Sequence, residues 1–124
     1  MKILHYNVYP SDRKTICVED DPIYGGAHHY RIQHSTGFND GEPTYVDGYT
    51  TIQFVQKNDD GSIVSGLQSE QLACVLLDRA VKLNERFPSP QNEKQIAGLA
   101  LFLEGCEERV RDRMERGVMG ELRK

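Results

Sequence analysis

The hydrophobic period of this chain switches near residue 66, and a chain that carries two periods in separate blocks is confined to a segregated α+β architecture. Before that point apolar residues alternate: Leu4, Tyr6 and Val8, then Ile16 and Val18, then Tyr30 and Ile32, then Ile52 and Phe54. Alternation puts one side of a strand in the core and the other in water, which predicts short antiparallel strands with one solvated face. The punctuation agrees, because "YPSDRK", "DDPIYGG", "TGFNDGEP" and "KNDDGS" concentrate the Pro, Gly, Asn and Asp that turns require. "NDDGS", between "IQFVQK" and "IVSG", predicts a hairpin.

After residue 66, Leu72, Leu76, Ala80, Leu83 and Phe87 recur every three or four residues, the period of a helix. Ser69 is the expected N-cap, with a hydroxyl that accepts from a first-turn amide. "PSP" at 88 to 90 must end this helix, since proline lacks an amide donor and drives the preceding residue toward extended angles. Ser89 followed by Pro90 then starts a second one. Its apolar stripe runs through Ile96, Leu99, Leu103, Cys106, Val110 and Met114 to about Arg116, where Gly117 offers an end. Two helices with so short a connection form an antiparallel hairpin. The expectation is therefore an α+β chain of one domain, an N-terminal antiparallel β-meander over 1–66 and a C-terminal two-helix hairpin over 67–120.

Length and composition bound what such a chain does. At 124 residues it suits one compact domain, and 38% hydrophobic residues make a modest core that burial between subunits would supplement. No run approaches the roughly 20 apolar residues of a membrane span, and "MKILHYNVYP" lacks the apolar stretch of a secretory signal, so a cytoplasmic protein is expected. Cys17, Cys74 and Cys106 are odd in number and widely spaced, which suggests neither a disulfide framework nor a zinc site. A sequence pI near 5.5 argues against coating DNA, which takes a broad basic surface.

The search for catalytic constellations is negative: the chain has no Gly-rich phosphate loop, nucleophile elbow or His-Glu-x-x-His helix. His28 and His29 in "GGAHHYRI" are adjacent on an expected strand, so they face opposite sides and cannot jointly hold one metal. The feature that stands out is "EERVRDRMERGVMG", where Arg109, Arg111, Arg113 and Arg116 crowd into a chain of net charge −4. At about 100° per residue, Asn92 lies in the centre of the second helix's apolar stripe. Arg113 lies on its border, Arg109 and Arg116 just beyond, and Arg111 points to solvent. A buried amide needs partners, which Asn92 finds either by capping its own helix or in a ligand. Glu107 and Arg111, like Glu108 and Asp112, stand at i,i+4 in a mixed-charge surface. On chemistry alone, a solvated face is the stronger reading of the arginines.

The block "RFPSPQNEKQIAGLALFLEGCEERVRDRMERGVMGEL", with Phe87, Asn92, Arg109, Arg113 and "RGVMG" in joint spacing, resembles phage proteins of the Thoeris anti-defence sponge family. That family shares its helical hairpin with anti-CBASS sponges. The similarity extends upstream through "LLDRAVKL" and "IQFVQK" to "GGAHHYRI", from about residue 25 to 121. Glu121, where a threonine is expected, and the linker "PSPQ" depart from the pattern.

The resemblance implies a binding protein, not an enzyme, that sequesters a cyclic ADP-ribose isomer of the gcADPR type. It implies Phe87, Asn92, Arg109, Arg113 and Arg116 as ligand contacts, with no catalytic residue, metal or cofactor. It further implies a homo-oligomer, a dimer that builds into a hexamer, and leaves open a second site for cyclic di- or trinucleotides. The alternatives are a nucleotide-signal hydrolase using His28 or His29, and a structural or adaptor phage protein. The implied residues carry a geometric condition. Asn92 and Arg109 lie about 25 Å apart on one helix, at 1.5 Å per residue, so a compact ligand that touches both requires a second subunit.

Overall fold

The computed structural model describes residues 2–4, 8, 16–19 and 28–117. It is an α+β chain with antiparallel strands in small sheets followed by two helices. The chain divides into two compact units, one of residues 1–58 and 63–66, the other of 59–62 and 67–124.

In the first unit, β1 (Lys2–Leu4), β2 (Ile16–Glu19), β3 (His29–Ile32) and β6 (Thr50–Gln53) form an antiparallel sheet in the order β1-β2-β3-β6. The register explains the alternation in the sequence. Val18 stands opposite Tyr30, and Tyr30 opposite Ile52, while Leu4, Ile16 and Ile32 line up in the neighbouring row. A one-residue slip would break both rows at once, which is how an alternating pattern fixes strand pairing. The Tyr30 and Phe54 rings meet edge to face at 5.7 Å. The strand expected through Tyr6 and Val8 ends earlier, at Leu4; Val8 is exposed and outside any strand, and Tyr6 lies outside the described residues. The predicted turns "YPSDRK" and "DDPIYGG" also lie outside them.

"TGFNDGEP" is more than a turn. It contributes β4 (Ser35–Asn39) and the start of β5 (Glu42–Tyr45), a hairpin whose connection is Asp40 and Gly41 alone. Both have positive φ, 51° and 80°, as a two-residue turn of this hand demands, and the pair Asp-Gly satisfies that demand cheaply. The segment is rich in turn residues, and sequence reading spread the turn over all of them. Thr36 and Thr44 join their hydroxyls across the pair at 2.7 Å. The hairpin predicted at "NDDGS" is present, with β7 (Gln56–Lys57) pairing β8 (Ile63–Val64). In its connection the Asp60 carboxylate accepts from the Ser62 hydroxyl at 2.6 Å and the Ser62 amide at 2.9 Å. These bonds, the hydroxyl first, hold its pKa below the ordinary carboxylate value.

In the second unit, α1 (Ser69–Arg86) and α2 (Pro90–Glu115) pack along each other as an antiparallel hairpin. The cap of α1 is Gln68, not Ser69: the Gln71 side-chain oxygen reaches back 2.8 Å to the Gln68 amide, which places Ser69 inside the first turn. For α2 the cap is Ser89, whose hydroxyl accepts from the Asn92 amide at 3.0 Å, with Pro90 first in the helix. The hairpin is thinly cored. Ala73 and Ala80, two turns apart on α1, are the buried hydrophobic residues among those described. Small side chains at that spacing let a second helix approach closely. The half-buried row of α2 is Asn92, Ile96, Leu99, Leu103, Cys106 and Arg113.

Other members of the predicted stripes stay exposed. Leu76, Phe87, Val110 and Met114 are exposed, and the cause at the far end is length. An 18-residue α1 spans about 27 Å and a 26-residue α2 about 39 Å, so with a short connection α2 outruns its partner beyond about residue 107.

One glycine is fixed by space. A Cβ on Gly66 would overlap the Gln53 carbonyl oxygen and stand 2.7 Å from the Phe54 carbonyl carbon, both backbone groups that cannot swing aside. Gly66→Ala is expected to destabilise the protein by about 1–3 kcal/mol, as overpacking does, read as a lower urea midpoint. An unchanged midpoint would contradict this packing.

Candidate functional site

The side chains that the sequence singles out fall at the two ends of α2. At its start, Phe87 closes α1 by donating its amide to the Leu83 carbonyl at 2.8 Å, and its ring remains 63% exposed. The turn beneath it is clamped on three sides. Ser89 donates its amide to the Asn84 side-chain oxygen at 3.2 Å, the Ser89 hydroxyl caps α2, and the Asn92 side-chain amide donates to the Phe87 carbonyl at 2.8 Å. Asn92 thus finds an acceptor for its side-chain amide within the turn, and the described contacts leave its side-chain oxygen for other use. Arg86 lies with its guanidinium over the Phe87 ring, 5.3 Å from the centroid. An exposed aromatic ring beside a cation suits a planar, negatively charged group, which stacks on the one and pairs with the other.

At the other end stands the arginine cluster, on the part of α2 that extends past α1. Arg111 pairs with Glu107 at 2.6 Å and Arg116 with Asp112 at 3.0 Å, both at i,i+4 and both open to solvent. Glu108 and Asp112, which share the same spacing, carry like charges and do not attract; the acid's partner is Arg116. Such exposed pairs contribute only about 0.3–0.5 kcal/mol, so an incoming anion displaces them at small cost. Arg109 is exposed and makes no ion pair or hydrogen bond among the described residues. Arg113 is half-buried. Guanidinium groups spaced along one helix offer forked donors to phosphate oxygens.

The structure joins Phe87 and Asn92 and keeps them apart from Arg109, Arg113 and Arg116 within the chain, because the straight length of α2 lies between. Arg86 completes the aromatic end and was missed in sequence. Its cue was only its position next to Phe87, since a helix C-terminus favours a cation at that place whatever its function. Between the helices runs an open groove of about 530 Å³, lined by Leu76, Arg79, Ala80 and Leu83 of α1 and by Gln95, Gly98, Leu99 and Phe102 of α2.

His28 does not lie on a strand. It precedes β3, and its carbonyl accepts from the Phe54 amide at 2.7 Å and the Gln53 side chain at 3.3 Å. His29 opens β3, and both are half-buried. Among the described residues no group of three or more His, Cys, Asp or Glu side chains is arranged to hold a metal ion, and no helix is long and apolar enough to cross a membrane. No protein-family model matches the chain, and no curated protein matches it.

Asn92→Ala removes the bond that ties the turn to the start of α2 and is expected to cost about 0.5–1.5 kcal/mol in denaturant unfolding. Asn92→Asp is expected to cost at least as much, because it sets a carboxylate against the Phe87 carbonyl. Unfolding midpoints equal to wild type for both variants would remove Asn92 from the clamp.

Proposed function

We propose that the protein is a phage anti-defence sponge that binds and sequesters a cyclic ADP-ribose isomer without degrading it, and so blocks Thoeris immunity in the cytoplasm of the infected bacterial host. The observation that carries this reading is an exposed aromatic ring backed by Arg86 at the turn that leads into α2, together with the overhanging far end of α2 that carries Arg109, Arg113 and Arg116. Phe87 stacks on the adenine, and the arginines hold the pyrophosphate in forked hydrogen bonds. Asn92 sets the position of Phe87 and offers its side-chain oxygen to a base edge or ribose hydroxyl.

Both ends cannot reach one compact ligand from the same chain, so the site is shared. The start of α2 in one subunit meets the arginines of another, and symmetry makes two such sites in a dimer. Dimers assemble further toward a hexamer, and cyclic di- or trinucleotides are candidates for a second site.

Mixing the purified protein with the cyclic signal and then denaturing it is expected to return the ligand intact. Recovery of cleaved product would replace this reading with a hydrolase that uses His28 or His29, and absence of uptake would leave a structural or adaptor role. Arg109→Ala and Arg113→Ala are each expected to weaken uptake ten- to a hundredfold in calorimetry, the worth of one hydrogen bond to a charged group, about 1.5–3 kcal/mol. Arg111→Ala, which breaks only a solvated pair, is expected to leave binding unchanged.

A further inference from the structure

The groove between α1 and α2 belongs to neither end of α2 and has no part in the site proposed above. Its volume, about 530 Å³, lies within the range of small-molecule sites, and Leu76, Ala80, Leu83 and Leu99 give it an apolar lining. Two polar side chains interrupt that lining, Arg79 from α1 and Gln95 from α2. Both are exposed, and neither makes an ion pair or hydrogen bond among the described residues.

The charge at the groove has one sign. The acids of α1 are Glu70, Asp78 and Glu85, and on a helix wheel they lie about 100° or more from Arg79. Asp78 is already engaged by Lys82 at 3.0 Å. On α2 the acids that flank the groove, Glu93 and Glu104, lie about 120° or more from Gly98. An apolar cleft with one cation that no carboxylate offsets is complementary to an anion with an apolar body, and a buried-body, charged-rim ligand is what such a site selects.

Gly98 decides the shape of that body. Arg79 stands ten residues before Ser89 and Gly98 nine after it, which sets them level across the antiparallel pair. A Cβ on Gly98 would meet nothing within 4 Å, so the backbone of α2 is bare there and faces open space. A glycine in a helix interior costs about 1 kcal/mol relative to alanine, and no close packing in the described chain calls for one at this position. Gln95 and Phe102 bracket the gap, one turn to either side and about 10 Å apart along the axis. The bare backbone suits a flat body, which the Phe102 ring meets at its edge or face.

We infer that the groove between α1 and α2 is a binding site for a planar aromatic carboxylate of two fused rings. The rings lie on the backbone at Gly98 against Phe102, and the Arg79 guanidinium takes both carboxylate oxygens in a forked pair. Gln95 adds a neutral amide donor at the same rim. Phe87 is eight residues from Arg79, about 12 Å along the hairpin, so a filled groove leaves the aromatic end of α2 open. The site stands independently of the sponge reading.

The test is calorimetry on the full chain with β-naphthoate as the probe and β-naphthamide as its neutral counterpart. β-Naphthoate is expected to bind with a dissociation constant below about 1 mM, and β-naphthamide about tenfold more weakly, the loss of one charge-assisted pair. Arg79→Gln is expected to weaken β-naphthoate about tenfold and to leave β-naphthamide unchanged. Gly98→Leu, which fills the gap with a good helix former, is expected to abolish uptake of both probes while circular dichroism shows helicity retained. Lys82→Gln removes an equal charge from the Asp78 side of α1 and is expected to change neither affinity. No uptake of β-naphthoate, equal affinity for the charged and neutral probes, or equal effects of Arg79→Gln and Lys82→Gln overturns the inference. Wild-type uptake by Gly98→Leu overturns it as well, because the probe then sits elsewhere.

Discussion

The hydrogen bond from the Asn92 side chain to the Phe87 carbonyl is the contact on which the geometry of the helical unit depends. Two prolines in three residues abolish amide donors where the chain must reverse, and the turn would otherwise have few bonds to hold it. Asn84, Ser89 and Asn92 supply those bonds from both flanking helices, so the direction of α2 is fixed relative to α1 before any apolar packing is counted. That matters in a unit where, among the described residues, two alanines are the buried hydrophobic side chains, because a thin core alone would not hold one helix angle against its neighbours. The same clamp turns the Phe87 ring outward beside Arg86, and the candidate site is a by-product of how the turn is built.

The helices differ in length by eight residues, and this mismatch organises the opposite end. Val110 and Met114 continue the apolar stripe past the point where α1 can meet it, which puts apolar and basic side chains together on the stretch that extends beyond α1. Met114 is 65% exposed there, although its spacing is that of a core residue. Apolar contact area interleaved with arginines is the composition favoured in protein and ligand interfaces, where aromatic, Met and Arg side chains are enriched.

Much of this fold is legible in the residues because each signal has a local cause. The alternation through Val18, Tyr30 and Ile52 reports the sheet register, and "PSP" with Ser89 marks the helix boundary to the residue. What was not legible depends on information that a linear pattern lacks. Asp40 and Gly41 form a two-residue turn inside a longer polar stretch, and polarity alone does not say which residues turn and which pair. Gln68 outcompetes Ser69 as a cap because Gln71 reaches back, a side-chain choice invisible to residue preference. At the site, the position of Asn92 in the stripe was plain, but its bonding to the turn was one of two open readings. That the arginine cluster lies past the end of α1 became plain only when α2 was set beside its shorter partner.

The overhang of α2 has a consequence for how the protein would perform in a cell. A binding surface completed inside one chain works at any dilution, whereas one split between chains works only to the extent that the chains have met. Capacity then rises faster than linearly with protein concentration until association saturates, and a ligand that bridges two copies draws them together by mass action. Under the proposed function, in which the protein is made from nothing during an infection, a site split between chains would set a threshold: the first copies would capture little, and each later copy would complete two half-sites, its own and that of its partner.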